Sequence, residues 1–290
     1  MTSWLKWTIL ISLALVWGSS FVLMKRGLES FTSLEVGSYR IVMAGFVLIP
    51  FSLTFLRKYN KTTLLKMAGV GIIGNMIPAY LFTIAQTTVP SAVAGMLNSM
   101  VPLFTVVIGA SFFKIHVFKK QWLGVGTGLL GAIILILSGP LKFDETPIFA
   151  SSLVILATIC YAVSVNLIHA YLGKVSSLRV AAIALLLAAP IPFFHLLFSG
   201  FWIKAFESDE NVLNLGYISI LAILGTALAV AIFNQLIKHS GAVFASSVTY
   251  LIPIVALCWG FIDGEIVTLA QVGAVAVILL AIRMINSNGN

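Results

Sequence analysis

The sequence predicts an all-α polytopic membrane protein: ten transmembrane helices arranged as two inverted five-helix repeats, with both termini cytoplasmic. Three observations predict it. Of the 290 residues, 60% are hydrophobic and 9% charged, with a mean hydropathy of +1.09, whereas soluble domains run near half and a quarter. Uncharged runs of the roughly 20 residues that an α-helix needs to cross about 30 Å of hydrocarbon follow one another along the chain. Finally, the chain matches itself when shifted by about half its length.

The expected spans are 7–24, 34–56, 67–86, 90–113, 121–138, 148–170, 178–199, 214–236, 241–262 and 269–285. Connections are short and leave no room for a soluble domain. The first span, after Lys6, has a secretory signal as its alternative. "ISLALVWGSS" lacks a convincing small-x-small cleavage site and nine more spans follow, so it is read as a helix of the mature protein.

Charge sets the expected orientation. With the N-terminus inside, Lys6, Arg57, Lys58, Lys61, Lys66, Lys114, Lys119, Lys120, Lys174, Arg179, Lys238 and Arg283 fall on the inner side, and Lys25, Arg26, Lys142 and Lys204 outside. This is the positive-inside bias. All nine acids fall in or beside the outer connections. The net charge of +8 is thereby topogenic, directed at anionic headgroups, and nucleic acid is not an expected partner.

A shift of 151 residues aligns "IIGNMIPAYLF" (72–82) with "ILGTALAVAIF" (223–233), so that Gly74 meets Gly225, Phe82 meets Phe233 and Pro102 meets Pro253. A shift of 144 sets Trp17 against Tyr161 and Ser20 against Ser164. The repeats so defined are 7–138 and 148–285. Five helices is an odd number, so the second repeat enters the membrane from the opposite side. Such inverted repeats belong to secondary transporters, with sites near the midplane between the halves.

"NSMVP" (98–102) places a proline about twelve residues into a span, and Pro253 does the same in the second half. Inside a helix Pro102 would deprive the Asn98 carbonyl of a donor, and Pro253 the Thr249 carbonyl. Freed carbonyls at mid-bilayer have to face protein, water or ligand, so both prolines are expected to kink their helices. The stripe Ser91, Gly95, Asn98, Pro102, Thr105, Gly109 and its counterpart Ala242, Ser246, Thr249, Pro253, Ala256, Gly260 are small or polar throughout. Close helix packing explains such stripes equally well.

"WGSSFVLMKRGLESFTSLEVGSYRIVMAG", the small-residue runs with mid-helix prolines, and "GAVFASSVTYLIPIVALCWGFIDGEIVTLAQVGAVAVILLAI" with its Gly264-Glu265 element resemble the EamA-type branch of the drug/metabolite transporter superfamily. The first half departs from the pattern, with Lys114 where the family commonly has the acid. The resemblance implies a ten-helix exporter or facilitator of small metabolites, often amino acids, in the cell (inner) membrane, with a central cavity open alternately to either side.

Candidate cavity residues are Trp17, Ser20, Arg40, Asn75, Tyr80, Asn98, Tyr161, Ser164, Asn234, Ser246 and Thr249, with Gln235 beside Asn234. Trp17/Ser20 and Tyr161/Ser164 each offer an aromatic plane and a hydroxyl one turn apart; packing is the alternative. For Asn75 and Asn234 the alternative is interhelical hydrogen bonding. Arg40, about two turns inside its span, either meets a substrate carboxylate, snorkels, or pairs with Glu35. His116, His169, His195 and His239 lie in loops or at span ends and make no metal-ligand spacing. No span carries a carboxylate near its centre, and "GVGTGLLG" (124–131) reads as a packing face rather than a phosphate cradle. Cys160 and Cys258 read as buried thiols rather than a disulfide. The expected partners are a small molecule and lipid, with no cofactor or metal, in a monomer or weak dimer. A membrane-embedded enzyme or a channel is the alternative class, but the sequence shows neither a nucleophile or metal set nor a filter.

Overall fold

The structure, a computed structural model, describes residues 3–114, 117–137, 145–233, 236 and 248–286. Its elements in order are α1 (Ser3–Ser30), α2 (Ser33–Val47), α3 (Ile49–Leu56), α4 (Lys61–Gly71), a π-helical segment (Ile72–Met76), α5 (Ile77–Ala85), α6 (Ser91–Asn98), α7 (Val101–Phe113) and α8 (Lys119–Leu137). The second half continues with α9 (Glu145–Leu172), α10 (Ser177–Ala188), α11 (Pro190–Phe198), α12 (Phe201–Ala205), α13 (Asp209–Ile220), a second π-helical segment (Leu221–Leu228), α14 (Val248–Ile262) and α15 (Leu269–Asn286).

Among the described residues five segments are long and apolar enough to cross a membrane: Trp4–Ser30, Lys61–Ala85, Ser91–Phe113, Ile148–Leu172 and Asp209–Phe233. Two bent pairs, α2 with α3 and α10 with α11, raise the number to seven. The expected spans 214–236 and 241–262 run in part over residues outside the description. The burial pattern is that of a lipid-embedded protein. Phe112, Phe198 and Leu269 are 80%, 81% and 87% exposed, while Ser38, Thr83 and Thr158 are fully buried. In lipid, apolar side chains gain nothing by turning inward, and polar ones bond between helices.

Prolines decide where the rods break. Pro78 follows the first π-helical segment within the continuous span Lys61–Ala85, whereas Pro50, Pro102 and Pro190 each occupy the first turn of a fresh segment, namely α3, α7 and α11. There the missing N–H has no carbonyl to serve. The expectation for Pro102 is corrected accordingly: it does not sit inside a continuous helix. The helix stops at Asn98, and Ser99 and Met100 donate to Met96 and Leu97 in a tightened turn. The chain then restarts at Val101. Pro253 does lie inside α14. The expected spans 34–56 and 178–199 are bent, by 65° and 41°, at Leu48 and Ala189, just before the segments that Pro50 and Pro190 open.

The two π-helical segments fall where the 151-residue shift superposes the halves. A π turn carries one residue more than the α-helical ladder accommodates and displaces a carbonyl. Asn75 Nδ2 donates to Val70 O at 3.3 Å, and its counterpart Thr226 donates through Oγ1 to Leu221 O at 3.5 Å. Both bonds span five residues, so each repeat uses a polar side chain to serve its displaced carbonyl.

Packing exchanges between the halves in the same way. α1 packs along α13 and α14, while α9 packs along α4, α5 and α7. α8 lies against α15, with Gly131 admitting Ile278, and Gly128 admits Leu103 of α7. Gly126, by contrast, faces open space, so only part of the 124–131 glycine run is a packing face.

Candidate functional site

The mid-depth contacts of α1 and α9 repeat each other across the two halves. Gly225 admits Ser20, whose Oγ lies 3.0 Å from where a Cβ would stand, and Gly74 admits Ser164 at 2.1 Å. Both serines are buried, and Ser20 donates to its own helix at Val16 O (3.0 Å). Trp17 meets Phe233 edge-on with centroids 5.1 Å apart; its counterpart Tyr161 lies 6.1 Å from Phe82, the counterpart of Phe233. The π-helical segment frees the Gly225 carbonyl for the Trp17 indole N–H, at 3.0 Å.

Arg40 reaches into this seam. Its Nε donates to Thr226 Oγ1 at 3.0 Å, and the Tyr161 hydroxyl lies within electrostatic reach of the guanidinium. It therefore joins α2, the second π-helical segment and α9. Glu35, the pairing alternative, is engaged elsewhere: its carboxylate accepts from Thr32 N–H at 2.8 Å, while Thr32 Oγ1 accepts from Glu35 N–H, closing a capping box on α2.

A second polar group lies beside it. Ser38, fully buried, bonds the Tyr80 hydroxyl at 2.8 Å and His195 Nδ1 at 3.1 Å. Sequence spacing does not bring His195 to this point, because three separate helices have to converge on it. Asn166 is likewise missed; it donates to Ala162 O and, across helices, to Thr105 O at 3.0 Å.

Asn98, at the break before Pro102, carries an amide oxygen that is buried and has no hydrogen-bond partner among the described residues. Asn234, Gln235 and Ser246 lie outside the described residues, as does the side chain of Thr249. Among the described residues no group of three or more His, Cys, Asp or Glu could hold a metal ion. Cys160 is half-buried and Cys258 exposed, both as free thiols. An apolar groove of about 300 Å³ opens beside Ser20, lined by Leu15, Ser19, Leu23, Ile220 and Leu224. Leu15, Ile220 and Leu224 are exposed, so the groove faces hydrocarbon.

The charged network lies at the end of α1. Lys25 pairs with Asp263 and, at 3.1 Å, with Glu265; Arg26 pairs with Asp263 and, at 2.7 Å, with Glu29. Glu265 also caps α6, accepting from Ser91 N–H (2.9 Å), Ser91 Oγ (2.7 Å) and Ala92 N–H (2.9 Å). Burial alone would raise its pKa, but these bonds and Lys25 outweigh burial and hold the carboxyl below its ordinary value. Gly264, at φ 75°, makes the turn that aims Glu265 back at α6. In the first repeat Lys114 stands in the acid's place, left-handed at φ 55°, closing α7 with its N–H on Gly109 O.

A membrane-embedded helical protein built of two similar halves, with its polar groups gathered at the seam, has the form of a transporter. The chain belongs to the EamA-like transporter family, whose description matches residues 5–137 and again 148–287. It is a multi-pass membrane protein of a family of transporters, not of enzymes. Among its relatives is the uncharacterized inner membrane transporter YedA of Escherichia coli K12, 27% identical over 284 residues, covering 95% of this chain and 89% of that one. An uncharacterized transporter of Archaeoglobus fulgidus is 23% identical over 281 residues, covering 97% and 98%. A Salmonella typhimurium protein named a probable amino-acid metabolite efflux pump is 25% identical over 285 residues, covering 94% and 92%. A solved crystal structure matches with a TM-score of 0.62 at 16% identity, covering 98% of this chain and 96% of that one, a likeness of fold.

Proposed function

We propose that the protein is a secondary transporter exporting a small organic metabolite, an amino acid or similar, by alternating access through a cavity between two inverted five-helix repeats, 7–138 and 148–285. One observation carries this reading: Trp17–Phe233 with Ser20–Gly225, and Tyr161–Phe82 with Ser164–Gly74, are the same contacts made by exchanged halves. A seam with that symmetry has two equivalent ways to open, which is what a carrier requires.

The ten-span topology with both termini cytoplasmic, in the inner membrane, is part of the same proposal. Charge placement supports it. Lys25, Arg26, Asp263 and Glu265 meet at one end of the helices, whereas Lys66 stacks on Tyr171, and Lys58 and Arg179 on Phe55, at the ends and starts of other spans. Trp17, Arg40, Tyr161 and Asn98 form the core of the proposed cavity. The name of the Salmonella relative supports an amino-acid-like cargo. Purified protein in liposomes, working as a monomer or weak dimer, is expected to show saturable flux of such a metabolite, accelerated by unlabelled solute on the opposite side. Non-saturable conductance instead would make it a channel.

A further inference from the structure

We propose, resting on the transport reading above but replacing its amino-acid-like cargo, that Arg40 is the substrate-recognising group and that the solute is an organic carboxylate, taken as an anion in preference to a zwitterion or an amine. Arg40 donates through Nε to Thr226 Oγ1, a neutral partner, and the neutral Tyr161 hydroxyl lies near its guanidinium. A guanidinium carries five N–H donors in a rigid fork. Among the described residues these neutral contacts leave donors of that fork free and the charge uncompensated.

Among the described residues no carboxylate is paired with Arg40 there. Glu35 is occupied by Thr32 N–H, and Asp263 and Glu265 by Lys25, Arg26 and the α6 N-terminus. All nine acids of the sequence lie in or beside one set of connections, away from mid-depth. An intramembrane cation without a fixed partner marks the place of a mobile one. A carboxylate matches the guanidinium fork and forms charge-assisted bonds about twice as strong as neutral ones. Recognising an ammonium as well would call for an acid at the same depth, which the sequence does not have.

The symmetry of the seam isolates the charge. Each half contributes an aromatic pair and a π-helical segment, but α10, which follows α9 as α2 follows α1, has its one cation, Arg179, in its first turn, 4.2 Å over the Phe55 ring. Only one wall is charged. The aromatic surface around it comes from Tyr161, close to the guanidinium, and from Trp17, bonded to Gly225 next to Thr226. Such surroundings suit a solute with one anionic end and an apolar or aromatic body.

The test uses matched probes that share a side chain and differ at the polar end: phenylpyruvate, phenylalanine and phenethylamine, with the aliphatic set 2-oxoisocaproate, leucine and isoamylamine. Binding to the purified protein is measured by thermal stabilisation, and flux by counterflow in liposomes. The 2-oxo acids are expected to bind best within a set and the amines worst. Arg40→Gln is expected to weaken the 2-oxo acids by about tenfold or more while leaving the amines unchanged. Should Arg40→Gln not fold, Arg40→Lys retains the charge without the fork, and about tenfold weaker 2-oxo acid binding is expected of it. Unchanged 2-oxo acid affinity in a folded Arg40 variant overturns the assignment, as does saturable flux carried equally by an amine; both leave the transport reading standing. Absence of saturable flux for every solute overturns the transport reading, and this assignment with it.

Discussion

Asn98 presents a buried amide oxygen with no hydrogen-bond partner among the described residues, beside a break in the helix. An unmet acceptor costs stability rather than providing it, so truncating it removes a liability from the fold. Asn98→Ala is therefore expected to leave membrane abundance within about a factor of two and to lower transport about tenfold, checked by quantitative immunoblot alongside counterflow. Loss of both in parallel would make Asn98 a folding residue. Gly74 differs in kind. A Cβ there would stand 2.1 Å from Ser164 Oγ, and the close approach of α9 to the first π-helical segment depends on its absence. The pairing of Gly74 with Gly225 is legible in the sequence, because a shift of 151 aligns them. Their serine partners are paired only by a second shift, of 144, and nothing in either shift says that serine meets glycine. Arg40 marks the same limit: its place in a span is visible, but its choice of Thr226 and Tyr161 over Glu35 is made by three converging helices.

At the scale of elements, the turn after α14 acts as a clasp. Gly264 reverses the chain, and Glu265 both caps α6 and holds Lys25 of α1, so three helix ends are tied by one carboxylate. Its folded pKa is depressed, so its contribution to stability is fully present above the ordinary glutamate value of about 4.3 and is lost as pH falls through the lowered value. The detergent-purified protein is expected to melt earlier as pH drops below about 4.3, and Glu265→Gln to flatten that dependence while costing about 2 kcal/mol at neutral pH. Melting curves between pH 3 and pH 7, marking roughly that window, check both; an unchanged pH dependence in the variant would remove the clasp. The acid of the Gly264-Glu265 element is visible in the sequence. That it caps the helix beginning at Ser91 is not, since 174 residues separate the partners. Proline positions are legible, yet whether a proline breaks a helix or lies within one depends on neighbours. Pro102 starts α7 and Pro253 stays inside α14, although the two are counterparts.

For the molecule as a whole, the absence of a carboxylate near the centre of any span removes the usual carrier of a coupled proton. Exchange of labelled for unlabelled solute is expected to run at equal internal and external pH. Flux that appears only when a pH gradient is imposed would show that another group, His195 beside Ser38 being the first to examine, carries the proton. The contacts that the two halves exchange also bear on how access alternates. In the proposed alternating-access cycle, opening one side would separate Trp17 from Phe233 and opening the other Tyr161 from Phe82, so that neither state would be favoured by its aromatic contacts alone.

Composition by itself determined the solvent, because a chain with this little charge cannot be hydrated as a globule. Self-similarity determined that the molecule is built twice, and the distribution of acids and cations supplied an expected orientation. Tertiary structure decided which polar groups meet. Helix faces are set by local periodicity, but hydrogen bonds such as Arg40 to Thr226, Ser38 to His195 and Glu265 to Ser91 join residues more than 150 positions apart. Their energy is collected only once the helices pack, and no local pattern in the chain encodes them.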